Sequence, residues 1–205
     1  MFHSEKLLKT VLTSKSIPFS ELGNKKTEHN LFIINQEKIN ICLTVRELQR
    51  VTVSSEENEH LANSTVQNLN ADSEKIAEAW RSVTAQYRQE GLFGLPCILL
   101  YYLYDPQDSD LTMQDMNAYN SSSSHLLVQN DDTVVWASSE QEIYDDDNLA
   151  FISAEGFLED KGDILFFHNC NALQPIVKSP FCKKFSTHFF RTDTIDGSVW
   201  RKVII

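Results

Sequence analysis

The sequence predicts an α+β fold that is mainly β, in which a sandwich or jelly roll is backed by one or two N-terminal helices. Two observations carry this prediction. Short apolar segments separated by Gly, Pro, Asn, Asp and Ser recur over residues 97–204. A strongly amphipathic segment that begins near Asp72 precedes them. Runs of strands that follow a helical segment are typical of this architecture.

One domain is expected, because a chain of 205 residues can bury a substantial core by itself. Residues 1–96 are predicted to form a mixed helix and strand support, and residues 97–205 the jelly-roll core. The first part is predicted to contain a helix at 4–12, an extended segment at 17–22, and strands at 31–34 and 38–45. Residues 56–70 are polar, and their pattern leaves a weak helix and a loop equally open.

The clearest predicted helix begins at Asp72, whose side chain can cap the free backbone donors of the first turn. Gly91 is predicted to end it. Its apolar face comprises Ile76, Trp80, Val83 and Tyr87. The strands predicted after it are residues 97–102, 125–128, 133–137, 149–153, 163–167, 185–190 and 199–204.

The charge of the chain argues against two classes of partner. It carries 29 acidic and 18 basic residues, a net charge of −11, and the basic residues form no dense block. Such a chain repels phosphate backbones and anionic membranes, so no nucleic-acid or membrane partner is predicted. The first residues lack the apolar core of a signal peptide, and no apolar run is long enough to span a bilayer. These two observations predict a cytoplasmic protein. Export without a signal peptide is left open.

The four cysteines are Cys42, Cys97, Cys170 and Cys182. Their wide spacing favours reduced thiols over a disulfide framework, although Cys170 and Cys182 are close enough for a loop clip, and it matches no structural zinc pattern. Cys97 and Asp115 raise the alternative of a cysteine nucleophile with a histidine base. Cys97 opens an apolar strand, where nothing lowers the pKa of a thiol, so this chemistry is disfavoured.

A series of landmarks runs through the second half of the chain. They are Tyr101-Tyr102, Pro106-Gln107, Asp110-Leu111, the run LLVQND at 126–131, Phe157-Leu158, Gly162-Asp163, Asn169, Lys184-Phe185-Ser186 and Phe189-Phe190. In this order and spacing they resemble the C-terminal half of the isopenicillin N synthase-like iron(II)/2-oxoglutarate-dependent oxygenases. The resemblance implies a double-stranded β-helix and an ancestral oxidoreductase chemistry that uses iron(II) and 2-oxoglutarate.

The resemblance also places the family's two histidines and one carboxylate, which bind iron on one face. They would fall at Ala118, Asn120 and Gln174. Alanine offers no donor atom, and the two amides lack the negative charge that helps hold a divalent cation. The resemblance therefore predicts a protein that has lost its iron-binding triad.

The family grips the distal carboxylate of its cosubstrate with a tyrosine and an Arg-x-Ser pair, and the matching residues here are Tyr102, Lys184 and Ser186. A lysine can pair with a carboxylate, although it lacks the planar fork of arginine. The alternative for this set is that Lys184 is a solvated charge and Tyr102 a core residue.

The favoured hypothesis is a non-catalytic binding or interaction module with no cofactor, whose partner is a small carboxylate or a protein. The alternative is an active iron(II)/2-oxoglutarate-dependent oxidoreductase acting on a small molecule, with its metal held by other groups; His125, His168 and His188 are available for this role. A third reading attributes the similarity to a shared jelly-roll pattern alone.

Overall fold

The structure, a computed structural model, describes residues 2–22, 29–36, 39–49, 71–104, 124–130, 133–137, 150–194, 197–203 and 205. The helices are α1 (His3–Ser14), α2 (Ser73–Gln89) and a short 3-10 helix (Cys182–Lys184). The strands are β1 (Phe19–Leu22), β2 (Leu31–Ile34), β3 (Ile41–Gln49), β4 (Ala71–Asp72), β5 (Cys97–Tyr104), β6 (Ser124–Asn130), β7 (Thr133–Ala137), β8 (Ile152–Leu158), β9 (Ile164–His168), β10 (Thr187–Thr194) and β11 (Gly197–Val203).

These strands form one open mixed sheet in the order β1-β2-β3-β5-β8-β9-β10-β11-β7-β6-β4. The pairs β3–β5, β5–β8 and β9–β10 are parallel. A jelly roll is built from antiparallel strands in two packed sheets. The α+β, mainly β class is therefore confirmed, whereas the described residues form an open mixed sheet in which no jelly roll is seen.

Strands from both predicted halves of the chain pair in this sheet. β3 runs parallel to β5 from Cys42 opposite Cys97 to Gln49 opposite Tyr104. The predicted support (residues 1–96) and the predicted core (residues 97–205) therefore both contribute strands to one sheet. Within the described residues, no helix is long and apolar enough to cross a bilayer.

The central strands of the sheet are covered on both faces, because each helix packs against one of them. Trp80, Val83 and Tyr87 of α2 pack in one core, as their helical spacing predicts. Leu8 and Leu12 of α1 pack in the other core. Along β5, alternate residues face opposite cores, with Cys97, Leu99 and Tyr101 toward α2 and Ile98 and Leu100 toward α1.

Several predicted boundaries hold. The strands at 31–34 and 133–137 coincide with β2 and β7, and Gly91 follows α2 with a positive φ of 67°. The predicted strand at 149–153 is misplaced, since β8 spans Ile152–Leu158. Its sequence, ISAEGFL, contains weak strand formers, yet every residue of it is buried, so packing outweighs local propensity here. Residues 56–70 lie outside the described part of the chain.

Candidate functional site

Two of the three predicted clamp residues hydrogen-bond to aspartates of the protein. The Tyr102 hydroxyl donates to Asp160 Oδ1 at 2.8 Å, and Ser186 Oγ donates to Asp163 Oδ2 at 3.1 Å. Asp160 and Asp163 belong to the turn between β8 and β9, so the two hydroxyls lie at the same end of these two strands. Each hydroxyl proton is already engaged by a carboxylate, which leaves it poorly placed to donate to a second one.

Lys184, the third clamp residue, lies at the end of the 3-10 helix and lines a cavity. The turn after α1 also lines this cavity; in it Ser16 adopts a φ of 52° and Ile17 N donates to Leu12 O at 2.8 Å. Asn35 N, just after β2, donates to Pro18 O at 3.0 Å and closes the third side. Three segments distant in sequence therefore build one recess.

The cavity has a volume of about 300 Å³. This is at the small end of the range for ligand sites. Its apolar lining consists of Ile17, Pro18, Ile34, Pro180 and Phe181. Its polar lining consists of Ser16, Asn35, Gln36 and Lys184, so Lys184 is the charged member of the lining among the described residues.

A second ammonium group lies beside Lys184. Lys15 Nζ donates to the backbone oxygen of Lys184 at 3.2 Å and sits 4.8 Å from the centroid of the Phe185 ring. Lys183 is exposed on the same 3-10 helix. Among the described residues, Lys15 and Lys184 thus bring two basic residues to this part of a strongly acidic chain.

Gln174, a predicted vacant iron position, lies at the other end of β8 from the clamp. Its backbone oxygen accepts from Ser153 Oγ at 2.7 Å, and its Nε2 donates to Gly94 O at 2.9 Å. The seven residues of β8 separate this end of the strand from the turn that contains Asp160, a distance of roughly 20 Å. The structure therefore does not bring Gln174 together with the clamp residues. Ala118 and Asn120 lie outside the described residues.

An exposed thiol, which the sequence did not mark as a functional group, lies at the same end of β8 as Gln174. Cys170 lies two residues after the end of β9 and is the exposed member of four free cysteines. Its loop is fixed on both sides. Asn169 Nδ2 donates to Ile152 O at 2.9 Å, and Leu173 N donates to Ala150 O at 2.9 Å. The sequence marks Cys170 only as a possible partner of Cys182 in a loop clip.

Two large apolar side chains are exposed in the loops at this same end of β8. Leu173 is 74% exposed and Phe93 is 46% exposed. The Gln174–Gly94 hydrogen bond joins the two loops that carry them. The thiol therefore lies on a loop that also presents apolar surface.

The other thiols are shielded. Burial raises the pKa of Cys97 well above its usual value, and burial raises the pKa of Cys182 to about 12. Cys42 is also buried. Of the pair considered for nucleophilic catalysis, Cys97 is thus inaccessible, and Asp115 lies outside the described residues.

Two of the three candidate histidines bond to each other. His168 Nε2 and His188 Nδ1 are 3.0 Å apart, and both rings are buried. The side chain of His125 lies outside the described part of the chain. Among the described residues, no group of three or more His, Cys, Asp or Glu side chains is arranged to hold a metal ion.

The fold and the site define this chain as a mainly β α+β protein with a small cavity lined by Lys184 and an exposed thiol at Cys170. Comparison with models of known families, with curated proteins and with solved structures found no match.

Proposed function

We propose that the protein is a non-catalytic binding module that holds a small carboxylate with an aliphatic portion in the cavity beside Lys184. The observation that carries the proposal is the lining of this cavity, which combines one ammonium group with apolar walls. Such a lining suits an amphipathic anion, because the ammonium group offers charge-assisted hydrogen bonds and the walls bury hydrocarbon.

The charges around the cavity support an anionic ligand. Lys15 Nζ donates to the backbone oxygen of Lys184, so a second lysine contacts the residue that lines the cavity. No carboxylate of the protein lines the cavity within the described residues, so no described acidic side chain competes for the site.

A clamp that uses Tyr102 and Ser186 together with Lys184 has less support. Their hydroxyls donate to Asp160 and Asp163, and a ligand carboxylate at that position would meet two acidic side chains. The oxygenase alternative also lacks a supporting observation, since the His168 and His188 rings bond to each other.

Binding is tested by calorimetry with hexanoate, and with hexanol and hexylamine as neutral and cationic counterparts. Hexanoate is expected to bind and the other two to bind at least about tenfold more weakly, which corresponds to about 1.4 kcal/mol. Lys184→Gln is expected to remove this preference. Lys183→Gln, which neutralises the adjacent exposed lysine outside the lining, is the matched control. Equal binding of hexanoate and hexanol, or unchanged binding by the Lys184 variant, contradicts the proposal.

A further inference from the structure

Two cysteines face each other across a parallel pair of strands in the sheet. Cys42 of β3 is the register partner of Cys97, the first residue of β5. Neighbouring strands lie about 4.8 Å apart, and the Cα atoms of disulfide-bonded cysteines are usually about 4.4–6.8 Å apart. The backbone therefore already holds these two residues at a separation that a disulfide can span.

The side chains of Cys42 and Cys97 lie on the same side of the sheet. Both pack in the core that contains the apolar face of α2, and neither residue has exposed surface. Burial raises the pKa of Cys97 well above its usual value, and a hydrogen bond with the Cys42 side chain adds to the rise. Both cysteines are free. The structure thus contains a buried pair of neighbouring thiols.

The other two cysteines are separated from this pair by the fold. Cys182 packs in the core on the opposite face of the sheet, so the sheet itself lies between it and the pair. Cys170 is exposed, whereas Cys42 and Cys97 are buried. A bridge to either member of the pair that preserves the native arrangement therefore joins Cys42 to Cys97.

Burial restricts when this pair can react. Exchange with a small disulfide such as oxidised glutathione passes through a mixed disulfide, and a core without access to solvent has no room for the attached glutathione. In the folding chain, one cysteine thiolate attacks oxidised glutathione and releases a first glutathione. The other cysteine then releases the second glutathione as the bond between the cysteines forms. The two electrons and two protons that the thiols lose are carried away by the two glutathione molecules.

A bridge at this position would close a long loop. Residues 43–96 lie between the two cysteines, and β3 and β5 come from opposite ends of that segment. A disulfide stabilises a protein mainly by constraining the unfolded chain, and the effect grows with the length of the closed loop. The bridged protein is therefore expected to be more stable than the dithiol form.

We propose that Cys42 and Cys97 are a redox-sensitive pair that forms a disulfide between β3 and β5 when the chain folds in the presence of a small disulfide, and that remains a dithiol when the chain folds under reducing conditions. Once the protein has folded, the core preserves whichever form was made. The pair thus couples the stability of the protein to the redox conditions under which it folded, and it does so independently of the ligand that the cavity binds.

The pairing is tested by refolding the reduced protein from denaturant with oxidised glutathione or with a phosphine reductant. After alkylation of free thiols, peptide mapping without reduction is expected to find a cross-link between Cys42 and Cys97 in the first sample only. Absence of this cross-link, or another pairing in its place, overturns the proposal. The folded dithiol form should acquire the cross-link far more slowly than the refolding chain, and equal rates would refute preservation by the core.

Thermal unfolding tests the consequence for stability. The bridged form is expected to melt several degrees above the dithiol form. Cys42→Ala should melt at the same temperature after either refolding, whereas Cys182→Ala, which removes a buried thiol from the other core, should keep both the cross-link and the difference. A bridged form that melts at or below the dithiol form overturns the stabilising role. The cross-link is measured in the unmodified protein and does not depend on the folding of either variant.

Discussion

The Tyr101 hydroxyl donates a 2.5 Å hydrogen bond to Oε1 of Glu155, a carboxylate with no exposed surface. Trp80 Nε1 lies 2.5 Å from the same oxygen and 2.7 Å from the Tyr101 oxygen. Burial, together with the charge of Glu155, raises the pKa of Tyr101 well above its usual value, so the hydroxyl stays a donor. These three side chains link α2 to the centre of the sheet.

Tyr101→Phe is expected to lower the free energy of unfolding by about 1–3 kcal/mol, because Glu155 loses a buried donor. Urea unfolding followed by tryptophan fluorescence measures the change. Tyr104→Phe removes a hydroxyl from a half-buried residue of the same strand and is the matched control. Equal effects of the two substitutions would show that the Tyr101–Glu155 bond adds nothing specific.

Gly156→Ala is expected to destabilise the sheet by about 1–3 kcal/mol or more, because the new methyl group overpacks the centre of β8. A Cβ at this position would lie 2.7 Å from Leu165 O and 2.8 Å from Leu100 Cδ2. The first of these atoms is backbone and cannot swing away. Gly94→Ala, where a Cβ meets nothing within 4 Å, is the control for thermal unfolding. A wild-type melting temperature for Gly156→Ala would contradict the packing.

Glu5→Ala is expected to lower stability by about 1–3 kcal/mol, since it leaves donors of Asn30 without their charged acceptor. Glu5 is buried; its Oε1 accepts from Asn30 N at 2.8 Å and its Oε2 from Asn30 Nδ2 at 3.1 Å. The exposed neighbour Lys6 provides the control substitution, Lys6→Ala. Both are compared by urea unfolding, and similar midpoints would refute a role for Glu5 in tying α1 to β2.

Acid is expected to destabilise the fold through its buried histidines. The folded-state pKa of His168 is lowered to about 3 and that of His29 to about 4, chiefly by burial, while both approach 6.5 on unfolding. The unfolded chain therefore binds more protons below pH 6.5, and the stability present above that pH is lost as it falls. Each such group contributes a slope of at most about 1.4 kcal/mol per pH unit.

His168→Gln is expected to flatten this pH dependence relative to the unmodified protein between about pH 6.5 and about pH 4. His3→Gln, which removes an exposed imidazole from α1, is the control. Urea unfolding across this range supplies the two slopes. If they prove identical, His168 does not contribute to the acid sensitivity.

Thiol labelling of the native protein is expected to modify Cys170 alone in a fast phase. Cys42, Cys97 and Cys182 are buried and should react only on unfolding. Cys170→Ser should abolish the fast phase. Its persistence in that variant would show that another cysteine is accessible.

The helices were predictable because their apolar residues repeat at helical spacing, as at Trp80, Val83 and Tyr87. The strand order was not, because short apolar strands carry no mark of which neighbour they pair with or in which direction. β3 pairs with β5 although residues 50–96 separate the two strands in the sequence, and no local pattern predicts this pairing.

The site was predictable only in part. Lys184 was singled out by resemblance, but the recess beside it needs Ser16 and Ile34, which only folding brings near. Cys170 was seen merely as a possible disulfide partner, because exposure is a property of the folded loop. The partners of Tyr102 and Ser186 depend on the β8–β9 turn, which was not expected to direct two aspartates toward them.

The parallel pairs of the central sheet have a consequence for how quickly the protein reaches its native state. β3 and β5 are separated by residues 50–96, and β9 and β10 by residues 169–186, so neither parallel pair can form before a long loop closes. Loop closure comes first and the contacts that stabilise these pairs come later, so folding is expected to be slow. Until then the apolar run of β5, CILLYYLY, is exposed, which makes the newly made chain the stage most prone to aggregation.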